Sequence, residues 1–378
     1  MICSNLEQIR LIIRDTALSC GREPDKIKLV AVSKRMPVTV AVLAFLALLC
    51  CGLLWSDDRT AGLGTVRKYW KLALLPVMLT AIRYRQRSRC LYSFIAGMTV
   101  AMGITFLVRF GLIQYADVSP THLTPKTFHV IYNPLLAFAV YLVFHEAIWG
   151  GARRNPALRV FLFLLGGLMT VNMFITEGRT GQAVFLVLMG LLLLQIFADS
   201  RIKAVLAVFL FLPAICITGY FSSPVFQQRI TTARQEIEDF QKNPDTSVGM
   251  RLLFFRNSLE IIRQHPWLGA GTGDFQSAYA QVNRERSPSS IATDNPHNQY
   301  VFVAAMLGGT GLLFFLLIFI VMSVQAKLIS DEFRRLRMAL PLFFLVIMLA
   351  ESYLIVYQTS FFFVLMAATL YKKKPNRT

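Results

Sequence analysis

Apolar residues in this chain run in long blocks rather than in alternation, and most blocks are long enough to cross about 30 Å of hydrocarbon. They occupy 36–55, 90–114, 128–149, 157–175, 182–198, 202–221, 299–323 and 338–358, with two shorter ones at 69–82 and 359–371. A segment in lipid must satisfy its own backbone hydrogen bonds, which leaves helices and closed barrels; barrel strands would alternate in polarity, and these blocks do not. The pattern predicts an all-α polytopic membrane protein of about ten transmembrane helices. Its divisions are a cytoplasmic segment 1–35, seven helices within 36–221, a large hydrophilic loop 222–298, three helices within 299–371 and a basic tail 372–378.

Composition agrees. With 55% hydrophobic and 16% charged residues and a mean hydropathy of +0.53, a plain soluble enzyme is excluded. The formal charge of +18 would suggest nucleic acid in a soluble protein; in a membrane protein it records topology, because cytoplasmic loops retain Lys and Arg. Arg83, Arg85, Arg87 and Arg89, then Arg153 and Arg154, Arg201 and Lys203, Lys327, Arg334, Arg335 and Arg337, and Lys372 to Lys374 all fall on one side by helix parity. The other side receives 115–127, 176–181 and the loop 222–298, which is therefore expected outside the cytoplasm. Block 69–82, flanked by Arg67, Lys68, Lys71 and Arg83, reads either as a short span or as a surface helix. The six cysteines lack metal-ligand spacing and read as small apolar fillers. No metal or cofactor is expected.

The first 35 residues differ from the rest. Leu6, Ile9, Ile13 and Ala17 form a helical stripe, Gly21 suits its stop, and 27–32 is a short β-prone run. This stretch resembles the opening of the pyridoxal-phosphate homeostasis proteins, whose lysine would be Lys34. A Schiff-base lysine needs the rest of a barrel to desolvate it, and at Met36 the chain enters an apolar block instead. The segment is read as a fusion or gene-rearrangement scar, or as an amphipathic lead-in helix.

Polar groups in or beside apolar blocks are costly and mark cavities or partners. They are Arg109, the His145 and Glu146 pair, Glu177 with Arg179, and Glu351, which suits either a buried hydrogen bond or a cavity. The large loop carries eight basic and eight acidic residues, so its cations are a local choice rather than a topology signal. It predicts a helix over 250–264 with Leu252, Phe255, Leu259 and Ile262 on one face, stopped by Pro266 and by Gly269, Gly271 and Gly273. Those glycines lack the spacing of a dinucleotide loop and the lysine of a P-loop, and read as turn formers. Just before the block 299–323 stands DNPHNQY, where His297 has Asn295 and Asn298 as neighbours. Arg179, Arg251 and His297 thus come from three separate segments that the predicted topology brings to one face.

Three motifs resemble the O-antigen ligase family, which shares its core signature with O-antigen polymerases and oligosaccharide-to-protein transferases. They are the EGRTG turn at 177–181, VGMRLLFFRNSLEIIRQHPWLGAGTGDFQ at 248–276 and PHNQYVFVAAMLGGTGLLFFLL at 296–317, in family order around one large loop. The resemblance runs from Met36 to the C-terminus and implies a metal-independent, inverting membrane glycosyltransferase; seven spans precede the loop here against about nine in the family pattern. It implies a donor glycan on undecaprenyl diphosphate, lipid A core as acceptor, and Arg179 and Arg251 on the diphosphate, with Arg256 a weaker third. Arginine suits that role because its fork pairs with two phosphate oxygens and keeps its proton. His297 would take the proton of the incoming hydroxyl, Asn298 or Asp294 would orient it, and Arg109 would join the same cavity. A polymerase, a protein-glycosylating transferase and a transporter are the competing readings. Against transport, no inverted repeat of broken helices is visible and the polar groups gather at one face rather than at the midplane.

Overall fold

The computed structural model describes residues 14–16, 18–21, 23, 37–114, 123–124, 129–151, 155–238 and 245–372. Lys34 and most of the segment around it lie outside the described residues, as do Arg153, Arg154, Lys373, Lys374 and most of 115–127. Gly21 is described, and it has the positive φ of +65° that suits a helix stop.

All regular elements among the described residues are helical. They are α1 (Pro37–Cys51), α2 (Arg59–Tyr69), α3 (Leu75–Ala81), α4 (Arg87–Arg109), α5 (His129–Trp149), α6 (Pro156–Ile175), α7 (Arg179–Ile196) and α8 (Arg201–Ser222). The hydrophilic loop folds as α9 (Pro224–Glu238), α10 (Ser247–Gln264) and α11 (Phe275–Arg286), and α12 (Gln299–Leu328), α13 (Arg334–Ile347) and α14 (Tyr357–Tyr371) close the chain. Among the described residues, six helices are long and apolar enough to cross a membrane: α5, α6, α7, α8, α12 and Tyr84–Arg109, in which a 3-10 turn runs into α4. The chain is thus a multi-pass membrane protein. Its helices start where the sequence offers caps: Asn155 accepts from Leu158 N at 3.2 Å ahead of α6, and Ser200 from Lys203 N at 3.4 Å ahead of α8.

The other expected spans are shorter or interrupted. Block 69–82 is broken into a 3-10 turn Trp70–Leu74 and the seven-residue α3, because Pro76 lacks an N–H and its ring bars the preceding helix. Block 338–358 leaves the helix after Ile347, and 349–356 forms a turn rather than the end of a span. In that turn Glu351 Oε1 accepts from the next backbone amide, Ser352 N, at 2.8 Å and from Asn295 Nδ2 at 2.8 Å, a local alternative to helical pairing.

Central α5 is the most buried of the six, packing against α4, α6, α7 and α13, while α1 packs on α12. Contacts sort the helix ends into two sets. At one end Asp274 accepts from Asp57 N and Asp58 N, Ser223 donates to Phe174 O, and Tyr353 donates to Val130 O. At the other end Lys372 donates to Leu79 O, Arg335 covers the Trp149 ring at 4.4 Å, and Arg87 meets Asp331 and Glu332. The arginines at 83–89 and 334–337 therefore share one end of the bundle.

Two of these arginines are fully buried. Arg87 reaches Asp331 and Glu332 at 3.0 Å each, and Arg337 reaches Asp331 at 2.6 Å, Leu370 O at 2.9 Å and Ile329 O at 2.6 Å. Burial would raise the Asp331 carboxyl, but hydrogen bonds from Arg337 and Arg87 outweigh it and hold the group below the usual carboxylate range. Removing the shared carboxylate leaves the buried Arg337 without an ion pair and Arg87 with Glu332 alone, so Asp331→Asn is expected to destabilise the protein by about 3–5 kcal/mol, read as a lower unfolding midpoint of the purified protein. Because the folded group is depressed, this contribution is present above about pH 4 and disappears as pH falls further, through the folded pKa.

Candidate active site

The turn that carries Glu177 and Arg179 is pinned to the start of α5. Asn133 Nδ2 donates to Glu177 O at 2.5 Å and Asn133 Oδ1 accepts from the Thr176 hydroxyl at 2.8 Å. Gly178 lies at φ +144°, where a side chain would be strained, and a Cβ there would strike Asn133. The chain therefore enters α7 with Arg179 as its first helical residue, beside the positive end of the helix dipole.

Arg179 lines a small pocket of about 60 Å³ with Arg229 of α9, Arg251 of α10 and Glu177. Three segments thus bring three guanidinia together. Arg229 pairs with Glu177, and Arg179 lies 3.6 Å from Glu236, whereas Arg251 has no ion pair among the described residues. Three guanidinia, two of them paired with carboxylates, and a helix N-terminus at one partly exposed pocket can together accept an anion with several oxygens.

His297 stands next to this pocket. Its ring stacks on Phe254, 6.0 Å between centroids, and Phe254 is one helical turn from Arg251. Nδ1 lies 2.5 Å from Glu351 Oε2, and Asn295 joins the same carboxylate through Oε1. With Nδ1–H committed to a carboxylate, the neutral imidazole carries its lone pair on Nε2. The backbone of His297 has φ +52°, the one positive value on a non-glycine among the described residues, and its N–H donates to Asn295 Oδ1 at 3.0 Å. Burial opposes the charge on Glu351, but the bonds from His297, Ser352 and Asn295 prevail and keep its carboxyl below the usual range. Tyr353 ties the two halves together: its hydroxyl binds Val130 O at 2.8 Å, and burial and the Glu351 charge raise its phenol while Arg251 opposes them.

Of the residues expected here, Arg179 and Arg251 share the pocket and His297 adjoins it; others do not join them. Arg256 is exposed, about 140° round α10 from Arg251, and Arg109 is exposed at the end of α4. Asn298 caps α12, accepting from Tyr300 N at 3.1 Å and Val301 N at 3.2 Å, and donates to Leu349 O. The group that orients His297 is Glu351 with Asn295, rather than Asn298 or Asp294, because the early end of α13 frees the turn 349–356 to approach. Arg229 and Tyr353 are not singled out by the sequence; only its membership of the eight cations in a charge-balanced loop, which topology does not explain, hints at Arg229. The stripe Leu252, Phe255 and Leu259 faces outward, and α10 buries Leu253, Phe254, Asn257 and Ile261 instead. The glycine run of 269–273 folds as a turn, laid on a kink in α12 at Gly308: Ala270 N and Gly271 N donate to Ala305 O and Met306 O, and Gly309 N to Pro266 O.

An apolar groove of about 410 Å³ runs between α6 and α8, from Thr170 and Ala214 to Ser222 and Ser223, and ends where the connections to α7 and α9 begin. One end of this helical membrane architecture thus carries a cationic pocket, a carboxylate-backed histidine and an apolar groove. Residues 161–316 match the family described as O-Antigen ligase. Over that stretch the chain is similar to that family, and a membrane glycosyltransferase activity is what the similarity implies. No curated protein matches the chain.

Proposed function

We propose that this protein is an O-antigen ligase, which moves polymerised O-antigen from undecaprenyl diphosphate to the lipid A core at the periplasmic face of the inner membrane. The observation that carries the reading is the carboxylate-backed His297 held beside the pocket of Arg179, Arg229 and Arg251. A sugar diphosphate is already a good leaving group, so no ATP enters. His297 Nε2 takes the proton of the acceptor hydroxyl, the acceptor oxygen bonds to the anomeric carbon, and the bond from that carbon to the diphosphate oxygen breaks. The guanidinia neutralise the charge that grows on the departing diphosphate, the task that a metal ion performs in other transferases. Attack opposite the leaving group inverts the anomeric centre. The prenyl chain fits the groove between α6 and α8, whose outer end adjoins the connection to Arg229.

The arginine-rich end of the bundle supports the orientation, since that end is then cytoplasmic and the site lies outside. Expression in a ligase-null strain tests the function. Restored long-chain lipopolysaccharide is the expected result. In strains deleted for this gene, a core that carries a single repeat unit would point to a polymerase, and loss of modified proteins with intact lipopolysaccharide to a protein glycosyltransferase.

A further inference from the structure

At the end of the bundle opposite the candidate active site, a cavity of about 530 Å³ opens between α4, α5 and the connection before α13. Its surroundings are rich in arginine, yet its lining is acidic and aromatic: Glu146, Glu332, Tyr92, Trp149 and His145 all face it. Glu146 accepts from the Tyr92 hydroxyl at 2.9 Å and has no cation partner among the described residues. Glu332 shares Arg87 with Asp331 and is 64% exposed, so it retains acceptor capacity on the cavity side. His145 is 96% buried, its ring 5.3 Å from that of Trp149, and its Nε2 has no hydrogen-bond partner. A buried nitrogen without a partner in the chain calls for an N–H or O–H from outside it, of a water or of a ligand. None of these groups takes part in the chemistry proposed for the other end.

The geometry points to a binding site for a primary ammonium, supplied by the amine head group of a leaflet phospholipid of the phosphatidylethanolamine class. Two carboxylates and one imidazole lone pair are three acceptors, the number of N–H donors that a primary ammonium on one carbon presents. The Trp149 face adds cation–π attraction. Arg335, over that same ring at 4.4 Å, supplies a guanidinium for the phosphate two carbons away from the amine. The cavity lies at the helix ends, at the level where head groups sit. A quaternary ammonium has no N–H to donate and would leave both the Glu146 bonding and His145 Nε2 incomplete.

Native mass spectrometry of the full chain in detergent tests this, with phosphatidylethanolamine and phosphatidylcholine of identical acyl chains added in competition. The expected result is retention of one phosphatidylethanolamine with roughly tenfold preference, the size of one charge-assisted hydrogen bond. Glu146→Gln and, separately, the exposed Glu332→Gln are expected to reduce that preference while the monomer mass and unfolding midpoint stay those of a folded protein. Equal retention of both lipids, or a preference that neither variant alters, would overturn the proposal. So would full displacement by millimolar free ethanolamine, which would assign the site to a soluble amine. Glycan transfer is not the readout, so the result is independent of the function proposed above.

Discussion

His297→Ala is expected to lower glycan transfer from the lipid-diphosphate donor by about 10²–10⁴-fold, the range that a general base contributes. The measurement is transfer between purified lipids in detergent, with protein checked for an unchanged elution profile. His297→Asn is the sharper control. The backbone at this position has φ +52°, which asparagine tolerates better than most residues, so a folded but inactive Asn variant separates chemistry from backbone strain. Glu351→Gln keeps the shape and removes the charge that holds Nδ1–H, at 2.5 Å in the native protein. It is expected to reduce kcat by about 10–100-fold with little change in donor KM, because the carboxylate acts through the imidazole and does not touch the donor. Full activity in both histidine variants would remove His297 from the mechanism.

Arg251→Ala is expected to cost about 10²–10³-fold in kcat, comparable to the loss of one preorganised group that stabilises developing charge. Arg251 is the best single test among the three guanidinia. Arg179 lies near Glu236 and Arg229 pairs with Glu177, so truncating either also removes an ion pair. Arg251→Lys retains the charge but loses the fork, and partial recovery is expected: above alanine, below arginine. If Arg251→Ala left the rate unchanged, the diphosphate would have to lie elsewhere. Arg256→Ala serves as the matched control on the same helix, and it is expected to leave transfer within about twofold, because an exposed side chain outside the pocket contributes little.

The pocket was partly legible before the fold was known. Arg179 follows a turn between two apolar blocks, and Arg251 and His297 bracket the structured part of the loop, so topology alone put all three at one face. Glu351 was visible as an acidic residue in an apolar run, but its partner was not. It is 54 residues from His297, and it reaches the ring only because α13 stops at Ile347. The same limit applies to α10. Its periodicity showed an amphipathic helix, and the apolar stripe was the natural choice for the buried side, yet the helix is turned so that Phe254 and Asn257 face inward. At the other end, Arg87 and Arg337 carry a topology signal in the sequence; they are also the buried core of an ion cluster around Asp331, which counting charges does not reveal.

Helical class and the presence of membrane-length apolar helices were legible in the sequence alone, because both follow from the length of an apolar run, and the charges of the short connections carry the expected sidedness of the loops. Which faces of those helices meet was decided only by tertiary packing. A rotation of α10 by one residue, about 100°, would leave every hydropathy average unchanged and would carry Arg251 away from Arg179. Contacts such as Glu351 with His297 and Arg229 with Glu177 join residues far apart in the chain, so no local pattern encodes them and only the assembled bundle brings them together.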